Sequence, residues 1–242
     1  VGVLLAVLAV VTACSPGPGA VATSPDPTPS RAIRYLPLGD SITAGYPERG
    51  GYRTLLWQLL VRQDGDKIDF VGSQSSGPPD LGDLDNEGHG GWCIDGPCNG
   101  PGTDDVVAPR IQGWITQYRP DIVSIHLGTN DIKKGATGPE VAHRLDDLVG
   151  KIYAVDPAVY VILIQIVPAR ADVEQHDAYD AAIPAIAARY QAQGRKVTVV
   201  DMSRLLSVPV NYVDGTHPTQ LGYDQMARAL YPAVSEAYRT VG

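Results

Sequence analysis

The sequence has little that would suit a nucleic-acid or metal partner. Its 19 basic residues are outnumbered by 27 acidic ones, which gives a formal net charge of −8. Nucleic acids require a basic face, so the charge argues against a nucleic-acid partner, and it gives no electrostatic attraction to an anionic membrane. The chain has only three cysteines, and no cysteine pair has the spacing of a zinc site. We therefore expect no nucleic-acid partner, no metal and no cofactor.

Long apolar runs are also scarce, and the most prominent one, Val1 to Val11, is too short to span a bilayer as a helix. Its length is typical of a signal-peptide core. The segment Val11-Thr12-Ala13-Cys14 resembles a bacterial lipobox, in which small residues precede a cysteine that becomes lipidated. We expect residues 1–13 to be a signal peptide and Cys14 to carry a lipid, with a plain secretory signal as the alternative. Either form predicts export, as a lipoprotein on the outer face of the cell membrane or as a secreted protein.

A proline-rich segment separates this leader from the rest of the chain. Ser15 to Ser30 contains five prolines among Ser, Thr, Gly and Ala. Such a segment cannot bury enough apolar surface to fold, so residues 14–30 are predicted to be a tether. Residues 31–242 have the length of one large α/β domain and contain no internal repeat.

The domain alternates short apolar runs with helical patterns, which predicts a three-layer α/β/α sandwich with a parallel sheet of about five strands. Strands are predicted at 33–38, 68–71, 122–127, 159–167 and 197–200. Helices are predicted at 52–62, 104–117, 139–153, 175–193 and 219–238, with a kink or a break at Pro184 and a bend at Pro232. A long loop is predicted at 72–102.

Three polar clusters point to one hydrolytic site. Gly39-Asp40-Ser41 and Gly128-Thr129-Asn130-Asp131 follow predicted strands, and Asp214-Gly215-Thr216-His217-Pro218 precedes the last helix. Ligands bind beyond the carboxyl ends of such strands. A serine nucleophile needs a base and a group that orients the base, and Asp214 and His217 are close enough in sequence to supply both. Ser41 does not lie in a GxSxG elbow, which disfavours an ordinary α/β-hydrolase.

These blocks resemble the SGNH (GDSL) hydrolase superfamily over roughly Arg31 to Tyr238. Ser41 matches its first block, Asn130 its third, and Asp214 with His217 its last. The glycine of the second block falls in Glu87-Gly88-His89-Gly90-Gly91-Trp92 and aligns to Gly91, with Gly90 as the nearest competitor. The resemblance implies a flavodoxin-like fold.

Finer motifs are similar to carbohydrate esterase family 3, whose known members are acetylxylan esterases. They are Gly50-Gly51-Tyr52-Arg53, Asp69-Phe70-Val71-Gly72-Ser73 and Gly88-His89-Gly90-Gly91-Trp92. The resemblance implies removal of acetyl groups through an acyl-enzyme on Ser41. It also implies that the backbone N–H groups of Ser41 and Gly91 and the side-chain amide of Asn130 form the oxyanion hole.

The pair Cys93 and Cys98 departs from that family's pattern. In an exported chain, two nearby cysteines predict a disulfide, which here would close a small loop beside the site.

Other polar residues have simpler explanations. Asp40 and Asp131 are expected to bond backbone groups in turns or caps, and His126 to be a core histidine. His143 and His176 are expected to be solvated on helical faces. The acidic stretch Asp80, Asp83, Asp85 and Glu87 is expected to be a solvated loop, with a calcium site as the alternative.

His89 and Trp92 have two possible roles, since each could pack the loop or meet the substrate. Two other functions also stay open: an esterase of lipids or aryl esters, and a glycan-binding module in which Trp92 and Tyr46 form a platform. The natural polymer and the oligomeric state are not predicted.

Overall fold

The computed structural model describes residues 1–2, 31–100, 104–168, 171–207 and 210–242. Apart from Val1 and Gly2, the expected signal peptide, Cys14 and the proline-rich tether lie outside these residues. In the described parts of the chain, no helix is both long enough and apolar enough to cross a membrane.

The described chain forms one β-sheet with helices packed against it. The strands are β1 (Ile33–Gly39), β2 (Ile68–Phe70), β3 (Gln74–Ser75), β4 (Asp85–Gly88), β5 (Ile122–His126), β6 (Tyr160–Ile164) and β7 (Val197–Val200). The helices are α1 (Ser41–Ala44), α2 (Gly51–Trp57), α3 (Ile111–Tyr118), α4 (Thr129–Lys133), α5 (Gly138–Val155), α6 (Val173–Ala192) and α7 (Gln220–Val241). A π-helical segment, Gln58–Gln63, continues α2.

Two hydrophobic cores cover the two faces of the sheet. In β6, Val161 and Leu163 belong to the core that includes residues of α3, α5 and α6. Ile162 and Ile164 belong to the other core, with residues of α2 and α7. Successive strand residues point to opposite faces, so a strand buried on both sides must be apolar throughout. The uninterrupted apolar runs therefore identified these strands correctly, and the predicted three-layer sandwich is confirmed.

The sheet order is β2-β1-β5-β6-β7 for the five predicted strands, all parallel. This is the doubly wound, flavodoxin-like order, in which β1 and β5 are neighbours at the point where the order reverses.

The predicted strand number and the predicted loop at 72–102 need correction, because β3 and β4 lie in that loop and the described sheet has seven strands. β4 pairs parallel with the end of β1, Leu38 with Glu87 and Gly39 with Gly88. β3 pairs antiparallel with β4. The sequence of β4 is Asp-Asn-Glu-Gly, which has no apolar pattern to reveal a strand.

The helix predictions also change at two points, the start of one helix and a break considered at Pro184. The helix predicted from residue 104 begins at Ile111, because residues 104–110 instead bond the loop around Cys93. The Cys93 N–H donates to the Asp105 carbonyl at 3.1 Å, and the Val107 N–H donates to the Cys93 carbonyl at 3.1 Å. The helices that contain Pro184 and Pro232 continue through both prolines, so there is no break at Pro184.

Candidate active site

Ser41 lies in a tight turn from β1 into α1, at the carboxyl end of the central strand. Asp40 caps the helix, since its Oδ1 accepts from the Ile42 N–H at 2.9 Å. Gly39 is required by close packing: a Cβ there would lie 2.0 Å from Thr43 Oγ1 and 2.8 Å from the His126 carbonyl oxygen. The turn therefore places the Ser41 hydroxyl at the carboxyl ends of the parallel strands, where sheets of this kind bind their ligands.

The structure brings Ser41, His217 and Asp214 into one hydrogen-bonded chain. Ser41 Oγ lies 2.9 Å from His217 Nε2, although the two residues are 176 positions apart in sequence. His217 Nδ1 lies 2.7 Å from Asp214 Oδ2. The other Asp214 oxygen accepts from the backbone N–H groups of His217 at 2.8 Å and Thr216 at 3.0 Å. This order of contacts suits proton transfer from the serine to an oriented imidazole.

Asp214 stays ionised over the whole neutral range. Its partial burial raises the pKa of the carboxyl, but the hydrogen bonds from His217 and Thr216 outweigh burial and lower that pKa to about 2. A permanent carboxylate at this position favours the His217 tautomer that leaves Nε2 free to accept a proton.

Asn130 contacts Asp40, the residue before Ser41, and is firmly oriented. Its Nδ2 donates to the Trp92 carbonyl at 2.9 Å and lies 3.3 Å from Asp40 Oδ2. Because the second contact is long for a hydrogen bond, the Nδ2 proton that faces Asp40 can also be donated to a substrate oxygen. Asp40 thus links the first and third blocks as well as capping α1.

Gly91 has a left-handed backbone, with φ of 81°, and nothing within 4 Å of an added Cβ. The backbone conformation, rather than crowding by described residues, is therefore what requires glycine at this position. Among the described residues, none accepts a hydrogen bond from its N–H. A Cβ on Gly90 would lie 4.0 Å from Ser41 Cβ, so the loop with both glycines is next to Ser41.

His89 and Trp92 anchor this glycine loop. His89 Nε2 lies 2.5 Å from Oε1 of the buried Glu87. The His89 ring stacks on Trp92 at 4.1 Å and faces Trp114 at 5.2 Å. The guanidinium of Arg110 covers the Trp92 ring at 4.7 Å. These contacts favour the packing role for both His89 and Trp92. Trp114 and Arg110 were not predicted as parts of the site, because they lie farther along the chain, in α3 and just before it.

The acidic stretch 80–87 is only partly the solvated loop that the sequence suggested. Glu87 is fully buried and accepts from the Ser73 N–H at 2.7 Å and the Ser73 hydroxyl at 2.6 Å. Asp83 accepts from the Phe70 N–H at 2.7 Å. These carboxylates hold the short strands together. Among the described residues, no group of three or more His, Cys, Asp or Glu side chains could hold a metal ion.

The disulfide between Cys93 and Cys98 is present, as predicted. The Cys98 sulfur lies 3.3 Å from the Gly91 carbonyl oxygen, so the closed loop packs against the glycine loop. Asp131 accepts from the Ile94 N–H at 2.9 Å and from Arg144 at 2.9 Å. Asp131 is therefore a tertiary anchor for the disulfide loop rather than a local turn residue.

Of the three histidines His126, His143 and His176, the first two are placed as predicted and the third is not. His126 is buried as predicted, its Nε2 accepts from the Val167 N–H at 3.3 Å, and burial lowers its pKa to about 4. His143 is exposed as predicted. His176 is not solvated but buried, 3% exposed, and burial lowers its pKa. The prediction failed because His176 lies on the buried stripe of α6, in helical register with Tyr179 and Ile183.

Comparison with known proteins supports the fold described above. Residues 38–225 match the GDSL-like Lipase/Acylhydrolase family. A family 3 carbohydrate esterase of Clostridium thermocellum is 32% identical with a TM-score of 0.75, covering 88% of this chain and 100% of that chain. A carbohydrate esterase family 3 structure from Talaromyces cellulolyticus is 27% identical with a TM-score of 0.72, covering 87% of this chain and 100% of that chain.

A multidomain esterase of Ruminococcus flavefaciens is 26% identical over 81% of this chain, and the chain spans 28% of that protein's length. The family match covers most of the described domain, from the end of β1 into α7. The chain belongs to the GDSL-like lipase/acylhydrolase family, whose members are carboxylic ester hydrolases of the SGNH type.

Proposed function

We propose that this protein is an exported serine esterase that removes short acyl groups, above all acetyl, from carbohydrate hydroxyls. Ser41 is the nucleophile, His217 the general base and Asp214 the residue that orients the base. The observation that carries the proposal is the chain of contacts from the Ser41 hydroxyl through His217 to Asp214, at 2.9 and 2.7 Å. A serine hydroxyl needs such a base to attack a carbonyl at neutral pH.

Acylation begins when Ser41 Oγ attacks the ester carbonyl carbon and its proton passes to His217 Nε2. Asp214 accepts from His217 Nδ1–H and stabilises the imidazolium that forms. The N–H groups of Ser41 and Gly91 and the amide of Asn130 are the donors to the oxyanion, and losing one such donor typically costs ~3 kcal/mol of barrier. When the C–O bond breaks, His217 returns the proton to the leaving oxygen, which departs as a sugar hydroxyl.

Deacylation repeats these steps with water. A water molecule attacks the acyl carbon on Ser41 while His217 accepts its proton. The ester bond to Ser41 then breaks, the proton returns to Ser41 Oγ, and acetic acid is released. The substrate class is inferred from the likeness to family 3 carbohydrate esterases of known structure.

A serine-reactive phosphonate tests the mechanism directly. We expect a covalent adduct on Ser41, located by peptide mass spectrometry, and no adduct in Ser41→Ala. A folded wild-type protein that takes up no label on Ser41 would overturn this assignment and would favour a glycan-binding module instead. Acetate release from a panel of acetylated glycans then identifies the polymer.

An esterase of lipids or aryl esters is the second candidate, because two apolar side chains near the triad loop face solvent. Val213 is 51% exposed and Leu221 is 56% exposed. Exposed apolar surface beside an active site can bind an acyl chain. Rates on p-nitrophenyl esters of increasing chain length separate the candidates: a sharp fall beyond acetyl supports the carbohydrate deacetylase, and a preference for octanoyl rejects it.

Export, with a lipid on Cys14, remains part of the proposal. It is supported by the apolar leader and lipobox-like sequence, and by the Cys93–Cys98 disulfide, since disulfides persist in oxidising compartments. Expression in bacteria with a labelled fatty acid tests it. The wild-type chain should incorporate the label and Cys14→Ser should not, whereas equal labelling of both proteins would contradict the lipid site.

A further inference from the structure

Tyr46 is a firmly held aromatic residue beside the His217 imidazole. Its ring meets the His217 ring edge to face, with centroids 4.7 Å apart, and yet the residue is 58% exposed. The Tyr46 N–H donates to the Ser41 carbonyl at 2.9 Å, and its carbonyl accepts from the hydroxyl of the buried Tyr223 at 2.6 Å. Both backbone groups are thus fixed, while one face of a large apolar ring stays available to a ligand.

A groove of about 610 Å³ begins at this ring. One wall consists of the segment after α1, including Tyr46, Pro47 and Arg49, and the other contains Ser75, Ser76 and Leu84. Its volume is within the range of small-molecule sites. The lining is mainly apolar with hydroxyls and one guanidinium, and no described residue pairs with the guanidinium of Arg49.

Arg53 holds the two walls of the groove together from beneath. This side chain is fully buried and donates to the Thr43 carbonyl at 2.9 Å and to the Ser76 carbonyl at 2.7 Å. Longer contacts of 3.4 Å reach the carbonyls of Ala44 and Leu84. Since Arg53 bonds backbone of both walls, the groove exists before any ligand binds, which reduces the entropy lost on binding.

The position of the groove decides which part of an ester it can hold. The leaving oxygen must approach His217 Nε2 to receive its proton, while the carbonyl oxygen points toward Gly91 and Asn130. Tyr46 contacts His217, so the group attached to the leaving oxygen extends over the Tyr46 ring. Sugar rings suit this lining because their C–H faces pack on aromatic rings and their hydroxyls bond polar side chains.

We propose that the groove between Tyr46 and Ser75 is a saccharide subsite that holds the sugar residue whose ester is cleaved. Tyr46 supplies the stacking face, and Arg49 and Ser75 supply hydrogen bonds to sugar hydroxyls. This inference rests on the proposed deacetylation of carbohydrate, and it adds the site that distinguishes a glycan ester from a small ester.

Variants in the groove test the proposal with two substrates, acetylated xylo-oligosaccharides and p-nitrophenyl acetate. Tyr46→Ala removes the stacking face and Ser75→Trp fills the groove from the opposite wall. We expect each variant to lower kcat/KM on the oligosaccharide about tenfold more than on the aryl ester, and the additional loss should come from a higher KM. Tyr46→Phe should restore oligosaccharide KM. Gln112→Trp, on an exposed face of α3, is the matched control and should change neither substrate.

Equal losses on both substrates would overturn the subsite, because Tyr46 would then act only through His217. Losses confined to p-nitrophenyl octanoate would also overturn it, since the groove would then hold an acyl chain. A wild-type enzyme that cleaves p-nitrophenyl acetate but deacetylates no carbohydrate refutes the proposed function itself. If the wild type deacetylates glycans and Ser75→Trp behaves like Gln112→Trp, only the subsite is refuted.

Discussion

The carboxylate of Asp40 lies 3.3 Å from the side-chain amide of Asn130, so the residue before the proposed nucleophile contacts a proposed oxyanion donor. Asp40 is fully buried, and its only other side-chain hydrogen bond among the described residues is to the Ile42 N–H. The position of Asn130 therefore depends on a group that the chemical steps do not use.

Asp40→Asn should reduce turnover. Its amide would keep an oxygen toward the Ile42 N–H and would then place an NH₂ group against the NH₂ group of Asn130. We expect kcat on p-nitrophenyl acetate to fall about tenfold, which is part of the cost of losing one oxyanion donor. Steady-state kinetics measure this, with the exposed Asp147→Asn as control. An unchanged kcat would mean that Asp40 does not position Asn130.

Asp40 should also shape the pH dependence of stability. Burial raises its pKa to about 7, with the Ile42 hydrogen bond opposing and the charge of Asp131 adding to the shift. Between about pH 4 and pH 7 the folded protein therefore keeps a proton on Asp40 that the unfolded chain has lost. As the pH rises through this range, the group lowers the free energy of unfolding. Urea titrations should show a smaller decrease for Asp40→Asn than for wild type, and an equal decrease contradicts the prediction.

Asp214→Asn should reduce kcat/KM about 100-fold, because the neutral amide no longer stabilises the imidazolium. The loss is expected to be smaller than in a fully buried triad, since the Asp214 side chain is 47% exposed and water can substitute in part. Ser41→Ala should abolish measurable turnover, which gives the reference for a complete loss. A loss in Asp214→Asn as complete as that of Ser41→Ala would show that solvent gives no compensation.

The Cys93–Cys98 disulfide should support both stability and turnover. Replacing both residues with alanine opens a short loop and is expected to lower the free energy of unfolding by about 2 kcal/mol. Because the Cys98 sulfur packs on the Gly91 carbonyl, kcat should also fall, by about threefold or more. Denaturant titration and kinetics measure the two effects. A reducing agent should reproduce them in wild type and leave the double variant unaffected.

Arg53→Met should destabilise the fold strongly. The substitution leaves the buried carbonyls of Thr43 and Ser76 without their donor, at a cost of about 3 kcal/mol or more. Arg62→Met is the control, because Arg62 is not fully buried and its contact to the Asp80 carbonyl is long, 3.3 Å. Equal unfolding midpoints for the two variants would contradict a bracing role for Arg53.

Much of the fold could be predicted because five strands are short apolar runs between helical patterns. The strand Val197–Val200 has the bounds that the sequence predicted, and the other four differ by a few residues at their ends. β4 could not be predicted, because its Asn86 and Glu87 are buried polar residues whose partners, Ser76 and Ser73, lie 10 and 14 positions earlier. Local periodicity contains no information about such partners.

The sequence by itself determined the chemical groups of the candidate site, since Ser41, Asn130, Asp214 and His217 stand in recognisable blocks. Only the tertiary structure decided how they meet: the parallel pairing of β1 and β5 brings Asn130 to Asp40, and the packing of α7 on α2 brings His217 to Ser41. It also decided that His176 is buried and that Tyr46 lies against His217. The physical reason is that side-chain burial and contact depend on which distant elements pack together, whereas spacing along the chain constrains only nearby residues.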